Sequence, residues 1–187
     1  MPDYARWTRL SAWLWPECAA ELAEASGVDV ELSQSGGVNL YLSEAEAEQG
    51  AAELAGLCQA LGGDYPFEYL SHADTRKLIP EIGPEVVGAI HSPMDGHVNP
   101  LYLLRALHAA FARAGGRLVN GAAVERIEPE TDGFRIAGAG GAWRADKVVP
   151  CAGLGNARLA PVVPERGQVL ITERVRPFLP LPGAQVR

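Results

Sequence analysis

The sequence predicts a chain of mixed helices and strands, of the α/β or α+β class. Segments with apolar residues at helical spacing recur along the chain, and short runs in which apolar and polar residues alternate lie between them. Glycine or proline stands at most of the junctions. Helices and strands that are interleaved in this way bury their apolar sides against one another, and this interleaving is the basis of the predicted class.

The predicted helices have recognisable ends. Residues 4–26 carry a wide apolar face, and Pro16 leaves open whether they form one helix or two. A capping-box pattern begins at Ser43, Ser71 opens a short helix, and an asparagine cap followed by proline begins at Asn99. The predicted helices cover residues 4–26, 44–61, 72–79 and 100–114.

The predicted strands include two hairpins. In Val28–Leu42, two alternating runs flank a glycine-rich turn at residues 33–37, and strands 133–137 and 142–145 form the second hairpin. A further turn is predicted at Asp95-Gly96. The other predicted strands are residues 86–91, 117–119, 123–127, 147–151 and 167–173.

Composition excludes several classes of protein. The chain of 187 residues has a net charge of −7 and a pI near 5.1, which disfavours binding to nucleic acid. No apolar run is long enough to span a membrane, and the first residues lack the pattern of a secretion signal. The three cysteines are widely spaced, which favours a reducing compartment over disulfides or a zinc site. We therefore expect a cytoplasmic protein.

Common catalytic motifs are absent from the sequence. It contains no Gly-x-Gly-x-x-Gly fingerprint, no P-loop and no Gly-x-Ser-x-Gly elbow; residues 153–158 approach the fingerprint but end in arginine. His91 and His97 flank a turn, but no third ligand at a suitable spacing accompanies them, so no metal site is predicted. Cys151 follows an apolar run and is interpreted as a small buried hydrophobe rather than a reactive thiol.

A series of short motifs resembles the glycine oxidase and D-amino-acid oxidase superfamily. The resemblance runs from Asp95 to Gln168 and depends on the order and spacing of the motifs. They are Asp95–Pro100 with the helix after it, Gly116–Val119, Val124–Ile127, Val148–Gly153 and Pro164–Gln168.

The resemblance implies a fold and a cofactor. The chain would hold part of an FAD-binding Rossmann-like domain and part of an antiparallel-sheet substrate domain. It would divide into a substrate-domain portion at 1–95, the central flavin-domain portion at 96–160, and a return strand at 161–187. The residues implied near FAD are Val124, Cys151, Ala152 and Gly153.

The resemblance also implies a reaction, in which the α-carbon of an amine or amino acid gives a hydride to the flavin and the imine product hydrolyses. The residues placed on the substrate side are Arg166, Gln168, Gln185 and Arg187. An arginine there could hold a substrate carboxylate through two parallel hydrogen bonds. The alternative is that Arg166 forms a structural ion pair with Glu165 or another carboxylate.

Three departures from the family pattern bear on the function. The N-terminal fingerprint unit is missing, the link at 159–164 is short, and the family's C-terminal part is missing. We therefore expect a central fragment that is inactive by itself. The alternative is a non-catalytic split subunit or assembly module, which would pair with a separate flavin-binding chain or self-associate through the cut sheet. A hydrolase with an independent site is the least supported alternative.

Overall fold

A computed structural model of the protein describes residues 2–158, 173, 176 and 183–186. The chain forms two compact units, one from Met1–Gly116 with Val175–Arg187 and the other from Arg117–Arg174. The predicted mixture of helices and strands is confirmed. The elements are α1 (Pro2–Ser26), β1 (Gly37–Tyr41), α2 (Glu44–Ala60), β2 (Glu68–Ser71), α3 (His72–Leu78), β3 (Gly88–Ser92), α4 (Pro100–Arg113), β4 (Val124–Glu130), β5 (Gly133–Gly138), β6 (Gly141–Ala145), a 3-10 helix (Gly153–Arg158) and β7 (Gly183–Val186).

α1 is a single helix that passes through Pro16 without a break. Proline removes one backbone donor, but the exposed position of Pro16 leaves room for its ring and for water at the unpaired carbonyl. The helix ends where Gly27 adopts φ +73° and donates its N–H to the Ala23 carbonyl at 2.7 Å. This left-handed conformation favours glycine, so the stop predicted at this position is confirmed.

The predicted starts of the next three helices are also confirmed. The side-chain oxygens of Ser43, Ser71 and Asn99 accept backbone N–H groups from the first turns of α2, α3 and α4. Each of these bonds satisfies a donor that has no partner within its own helix. Helix starts could be located from sequence because a cap depends only on neighbouring residues.

The sheet of the first unit has the strand order β2-β3-β1-β7. β1 runs antiparallel to β3, with Gly37 opposite Ser92 and Tyr41 opposite Gly88. It runs parallel to β7 on its other side, and β2 is antiparallel to β3. Strand β2 was not predicted from the sequence, since only four residues with an exposed pattern form it.

The hairpin predicted at Val28–Leu42 is wrong. Only its second half forms a strand, β1, and residues 28–32 remain irregular. Ser33 makes one isolated antiparallel bridge, with His97. Alternation of apolar residues indicates a half-buried strand but does not identify the partner strand, and here both partners of β1 lie far along the chain.

Both faces of this sheet carry buried side chains, since successive residues of a strand point to opposite faces. One face carries the buried cluster Val38, Leu40, Ile79, Val86 and Ala89, and Ile79 is the residue that ends α3. The other face carries Tyr41 and Ile90 against Ala47 of α2. Burying an aliphatic or aromatic side chain of this size contributes about 1.5–3 kcal/mol.

The second unit contains the antiparallel sheet β4-β5-β6. β5 and β6 form the predicted hairpin, with Ile136 opposite Trp143. β4 extends the sheet, and its register shifts between Val124 and Arg126. The hairpin was predictable because its turn and both of its strands are adjacent in sequence.

Two other strands predicted for this unit are wrong. Residues 117–119 and 147–151 are irregular, and Leu118 and Val149 are 60% and 79% exposed. An apolar run forms a strand only where a neighbouring strand completes its backbone hydrogen bonds. Within the described part of the unit, no neighbour does so. The strand predicted at 167–173 lies almost entirely outside the described residues.

Candidate functional site

The four residues implied near a flavin lie on two elements of the second unit. Val124 begins β4, and Cys151, Ala152 and Gly153 form a continuous turn that leads into the 3-10 helix. The Cys151 thiol is free and the residue is exposed, so its predicted burial is wrong. The structure thus brings together the last three of these candidates.

The turn at residues 150–156 is closed by a side chain that the sequence did not single out. The Asn156 side chain accepts the Ala152 N–H at 3.1 Å and donates to the Pro150 carbonyl at 3.3 Å. Gly153 adopts φ +54°, and a methyl group on it would meet no atom within 4 Å. The backbone at Gly153 is therefore held in a conformation that favours glycine and is open to a ligand.

Only one of the residues placed on the substrate side lies within the described chain. Gln185 is in β7, beside Asn39 of β1 in the sheet of the first unit. Arg166, Gln168 and Arg187 lie outside the described residues. The substrate-side candidates therefore remain predictions, with Gln185 located on the edge strand of that sheet.

A cavity of about 480 Å³ lies in the first unit, between α1 and the segment that links β3 to α4. Trp7, Ser11 and Trp15 line it from α1, where their spacing of four residues places them along one side of the helix. The opposite wall consists of Leu32, Gln34 and residues 94–98. A volume of this size is typical of small-molecule sites.

The far wall of this cavity is fixed by hydrogen bonds. Ser33 and His97 exchange both backbone bonds, at 2.9 and 2.8 Å, and the Asn99 N–H donates to the Val30 carbonyl at 2.9 Å. The Gln34 amide donates to the Ala12 carbonyl of α1 at 2.7 Å and more weakly to the Met94 carbonyl at 3.4 Å. Gln34 therefore ties the two walls together.

A pair of glycines makes room for two titratable side chains beside the cavity. A methyl group on Gly36 would collide with the His91 imidazole, and one on Gly37 would lie 2.8 Å from Asp95 Oδ2. The turn that presents Asp95 is closed by its own N–H, which donates to the Ser92 carbonyl at 3.2 Å. That turn falls on Pro93 and Met94, before the position predicted from the sequence.

The electrostatics of this region centre on Asp95. Burial raises the pKa of its carboxyl group, and the nearby His91 opposes this shift. Burial also raises the pKa of the Tyr65 hydroxyl, and the Asp95 carboxylate adds to that rise. The Asp95 carboxylate accepts no hydrogen bond from the residues that the structure describes, although it borders the cavity. Its charge is thus only partly compensated.

Sequence reasoning missed this cavity. Asp95 was noted only as part of a turn and a motif, and Trp7 and Gln34 were not singled out at all. The spacing of Trp7, Ser11 and Trp15 was a usable indication, because residues four apart lie on one side of a helix and so place both indoles together. The rest of the cavity could not be predicted, because about 80 residues of sequence separate its two walls.

No group of histidine, cysteine or acidic residues in the described part of the chain is arranged to hold a metal ion. Among the same residues, no helix has the length and apolar character needed to cross a membrane.

Comparison with known proteins identifies the family. All of residues 1–187 match the family described as DAO, FAD dependent oxidoreductase. The chain belongs to this family of FAD-dependent oxidoreductases. The resemblance inferred from the motifs is thereby confirmed, and so is the assignment of FAD as the family's cofactor.

Two curated relatives and one solved structure are informative. The chain is 38% identical to an opine oxidase subunit of Rhizobium meliloti and 40% identical to the corresponding subunit of Agrobacterium tumefaciens (strain Ach5). In each case the alignment covers all of this chain and 52% of the relative, so the chain spans about half the length of these proteins. Glycine oxidase from Geobacillus kaustophilus superimposes with a TM-score of 0.73 at 30% identity, over 80% of this chain and 40% of that one.

The described residues can be tested against the family's cofactor. The open, left-handed backbone at Gly153 fits the close approach of a planar ligand, and the turn around it is held by Asn156. No phosphate-cradling fingerprint occurs in the sequence. Of the residues implied near FAD, those of the turn at 151–153 leave room for such a ligand, and their contact with FAD stays a prediction.

Proposed function

We propose that this protein takes part in the FAD-dependent oxidation of an amine or amino acid, as an oxidase or a dehydrogenase. The observation that carries the proposal is the match of the whole chain to the FAD-dependent family, supported by the structural likeness to a glycine oxidase. The names of the relatives, opine oxidase and glycine oxidase, favour a substrate with an amine next to a carboxylate.

Bound FAD would supply the hydride acceptor that amine oxidation needs. In our proposal the backbone of Ala152 and Gly153 lies against the cofactor, with Val124 and Cys151 nearby. Asn156 acts as a positioning residue, because it holds the Ala152 N–H and the Pro150 carbonyl in one turn.

The proposed substrate contacts are polar residues that follow the flavin-domain portion in the sequence. Gln185 lies on the edge strand β7, and the other proposed contacts are Arg166, Gln168 and Arg187. A guanidinium group matches a carboxylate through two parallel hydrogen bonds, so Arg166 and Arg187 are the proposed carboxylate ligands.

The domain assignment belongs to the same proposal. Residues 1–95 and 161–187 would contribute to the substrate domain, and 96–160 to the flavin domain. We also propose a cytoplasmic location. Turnover is expected only together with polypeptide that supplies the pyrophosphate cradle, because the sequence has no fingerprint for it.

The first test is the absorbance spectrum of the purified protein, alone and with any chain that purifies with it, before and after FAD is added and excess removed. We expect a retained flavin band that an amino acid or secondary amine bleaches in the absence of oxygen. A flavin-loaded protein that no such compound bleaches would contradict the proposed reaction.

A pair of glycine variants tests the proposed contact at Gly153. Gly153→Ala and Gly121→Ala both place a methyl group at positive φ, +54° and +69°, in open space. Both carry a similar backbone cost, but only the first blocks the proposed approach of the flavin. We expect Gly153→Ala to weaken FAD binding by about tenfold and Gly121→Ala to leave it unchanged; equal effects would exclude this contact.

A second candidate function is that of a split subunit that pairs with a separate flavin-binding chain. Both opine oxidase relatives are named as subunits, which favours this function. Exposed apolar residues of this chain also favour it. An apolar groove of about 830 Å³ lies between α1 and α4, and Leu118, Val119 and Val149 are exposed in the second unit. Exposed apolar surface of this kind often marks a protein interface.

Mass measurement by light scattering, with and without FAD, separates the two candidates. The split-subunit function predicts a complex in which a second, different chain carries the flavin and a Gly-x-Gly-x-x-Gly segment. A monomer that retains FAD and is bleached by substrate would exclude it, and would also contradict the proposed need for further polypeptide.

A further inference from the structure

The cavity between α1 and residues 94–98 has the chemistry of a site for a positively charged ligand. Asp95 is the one residue with a full formal charge at neutral pH among the described residues that line it. The remaining polar groups in its wall are neutral hydroxyl and amide groups and the His97 imidazole. An overall charge of −7 adds to the attraction of the wall for cations.

Two indole rings border the same cavity as this carboxylate. Trp7 and Trp15 line it from α1, and Trp7 is 74% exposed. The face of an indole ring attracts cations, and tryptophan does so more strongly than the other aromatic side chains. An indole pair opposite a carboxylate combines the two interactions that bind ammonium and guanidinium groups.

Within the described part of the chain, no arginine or lysine forms an ion pair with this carboxylate. Arg9 lines a small adjoining cavity of about 60 Å³ together with Asp95. Its guanidinium, however, forms an ion pair with the Asp64 carboxylate and donates to the Asp64 carbonyl at 2.8 Å. His91 lies close enough to affect the Asp95 charge, but it packs over Gly36.

We propose that this cavity binds a small organic cation, an alkylguanidinium or alkylammonium, between the indoles of Trp7 and Trp15 and the Asp95 carboxylate. The backbone of the site is fixed before a ligand arrives, because Gln34 ties the far wall to α1 and the Ser33–His97 bridge joins the two segments of the far wall. A rigid site loses little conformational freedom on binding. The proposal does not depend on the flavin chemistry, and the site can be tested without FAD.

The test compares n-butylguanidinium with n-butylurea, which has nearly the same shape but no charge. Binding of each to the full protein is measured by calorimetry and by ligand-observed NMR at constant ionic strength. We expect n-butylguanidinium to bind at one site and n-butylurea to bind at least about tenfold more weakly, since the urea cannot make the charge-assisted contact with Asp95. Equal binding of the two compounds would overturn the proposal.

Two matched aspartate variants locate the site. Asp95→Asn removes the proposed charge, whereas Asp132→Asn makes the same change at an exposed position of the other unit. We expect Asp95→Asn to lower the affinity for n-butylguanidinium to that for n-butylurea and Asp132→Asn to leave it unchanged. Equal loss in both variants would indicate only general attraction to an acidic surface and would overturn the proposal.

A third variant covers the case in which Asp95→Asn does not fold. Trp7 is mostly exposed, so Trp7→Leu removes one indole without opening the core. We expect it to weaken n-butylguanidinium binding by about two- to fivefold, which corresponds to an exposed cation–π contact. Unchanged binding in Trp7→Leu, with folding verified by circular dichroism, would overturn the proposed binding between the indoles and the carboxylate.

Discussion

Asp95 packs directly on Gly37: a methyl group at Gly37 would lie 2.8 Å from Asp95 Oδ2 and 3.0 Å from Asp95 Cβ. Gly37 is buried at the start of β1, and it is aligned with Ser92 of β3. Because Gly37 has no side chain, the Asp95 carboxylate can lie against the start of β1, where it borders the cavity.

Gly37→Ala is expected to displace Asp95 and to destabilise the protein by about 1–3 kcal/mol, since overpacking costs this much in a close-packed region. The measurement is urea denaturation of four proteins: parent, Gly37→Ala, Asp95→Ala and the double variant. Removing the carboxyl group should relieve most of the collision, so the two changes should couple by about 0.5 kcal/mol or more. Additive effects would show that Asp95 does not rest on Gly37.

Two glycines of α2 should respond in opposite directions to alanine. A methyl group on Gly50 would collide with the hydroxyl of Tyr41, whose ring is buried, whereas one on Gly56 would meet no atom within 4 Å. Gly50→Ala should therefore destabilise the protein by about 1–3 kcal/mol. Gly56→Ala should stabilise it by about 0.5–1 kcal/mol, because alanine loses less conformational freedom in a helix. Thermal unfolding compares the two, and a gain in stability for Gly50→Ala would contradict the packing of Tyr41 on α2.

Asn99 joins the cap of α4 to the segment before β1. Its Oδ1 accepts the N–H groups of Leu101 and Tyr102 at 3.1 and 3.3 Å, and its Nδ2 donates to the Glu31 carboxylate at 2.9 Å. Asn99→Ala should cost about 1–2 kcal/mol, as the loss of a helix cap does.

Asn99→Asp separates the two roles of this residue. Aspartate caps a helix as well as asparagine does, but it would place a second carboxylate against Glu31. We expect a loss of stability that is largest at low salt and disappears when Glu31→Gln is added. Urea denaturation at two ionic strengths measures it, and a loss that survives Glu31→Gln would contradict the proposed repulsion.

Replacing Asp95 and replacing Asp74 by asparagine should change the stability of the protein in opposite directions at neutral pH. Burial raises the pKa of Asp95 above its ordinary value of 3.8, so the folded protein holds that proton more tightly than the unfolded chain does. The stability that this tighter proton binding contributes is complete below pH 3.8, and it declines as the pH rises through the raised pKa of Asp95 in the folded protein. Asp95→Asn should therefore stabilise the protein at neutral pH, by less than about 1 kcal/mol because the side chain is partly exposed, and should have no such effect near pH 3.

Asp74 provides the opposite case. Hydrogen bonds from Lys77 and Ser71 and the Lys77 charge lower its pKa, so its contribution is present above the ordinary value of 3.8 and is lost as the pH falls through the lower folded pKa. Asp74→Asn should reduce stability at neutral pH and have little effect in acid. Denaturation midpoints of both variants at pH 3, 5 and 7 test the pair, and shifts of the same sign at pH 7 would contradict the assignment.

The sequence alone determined the features that depend on neighbouring residues. The caps at Ser43, Ser71 and Asn99 and the hairpin of β5 and β6 were located correctly, because each is closed by hydrogen bonds over a few residues. The family was also predictable, since the order and spacing of the short motifs together are specific even though each motif alone is weak. The residues proposed to contact FAD and substrate came from that resemblance, and they stay predictions.

The tertiary structure decided what depends on residues far apart in the chain. β1 pairs with β3 and β7 instead of the segment before it, and residues 117–119 and 147–151 form no strand in the described part of the chain. The cavity beside Asp95 is likewise assembled from α1 and from residues about 80 positions later. Local patterns fix which backbone conformation a segment prefers, but the pairing of strands and the walls of a cavity follow from which apolar surfaces are buried together, and that is a property of the whole fold.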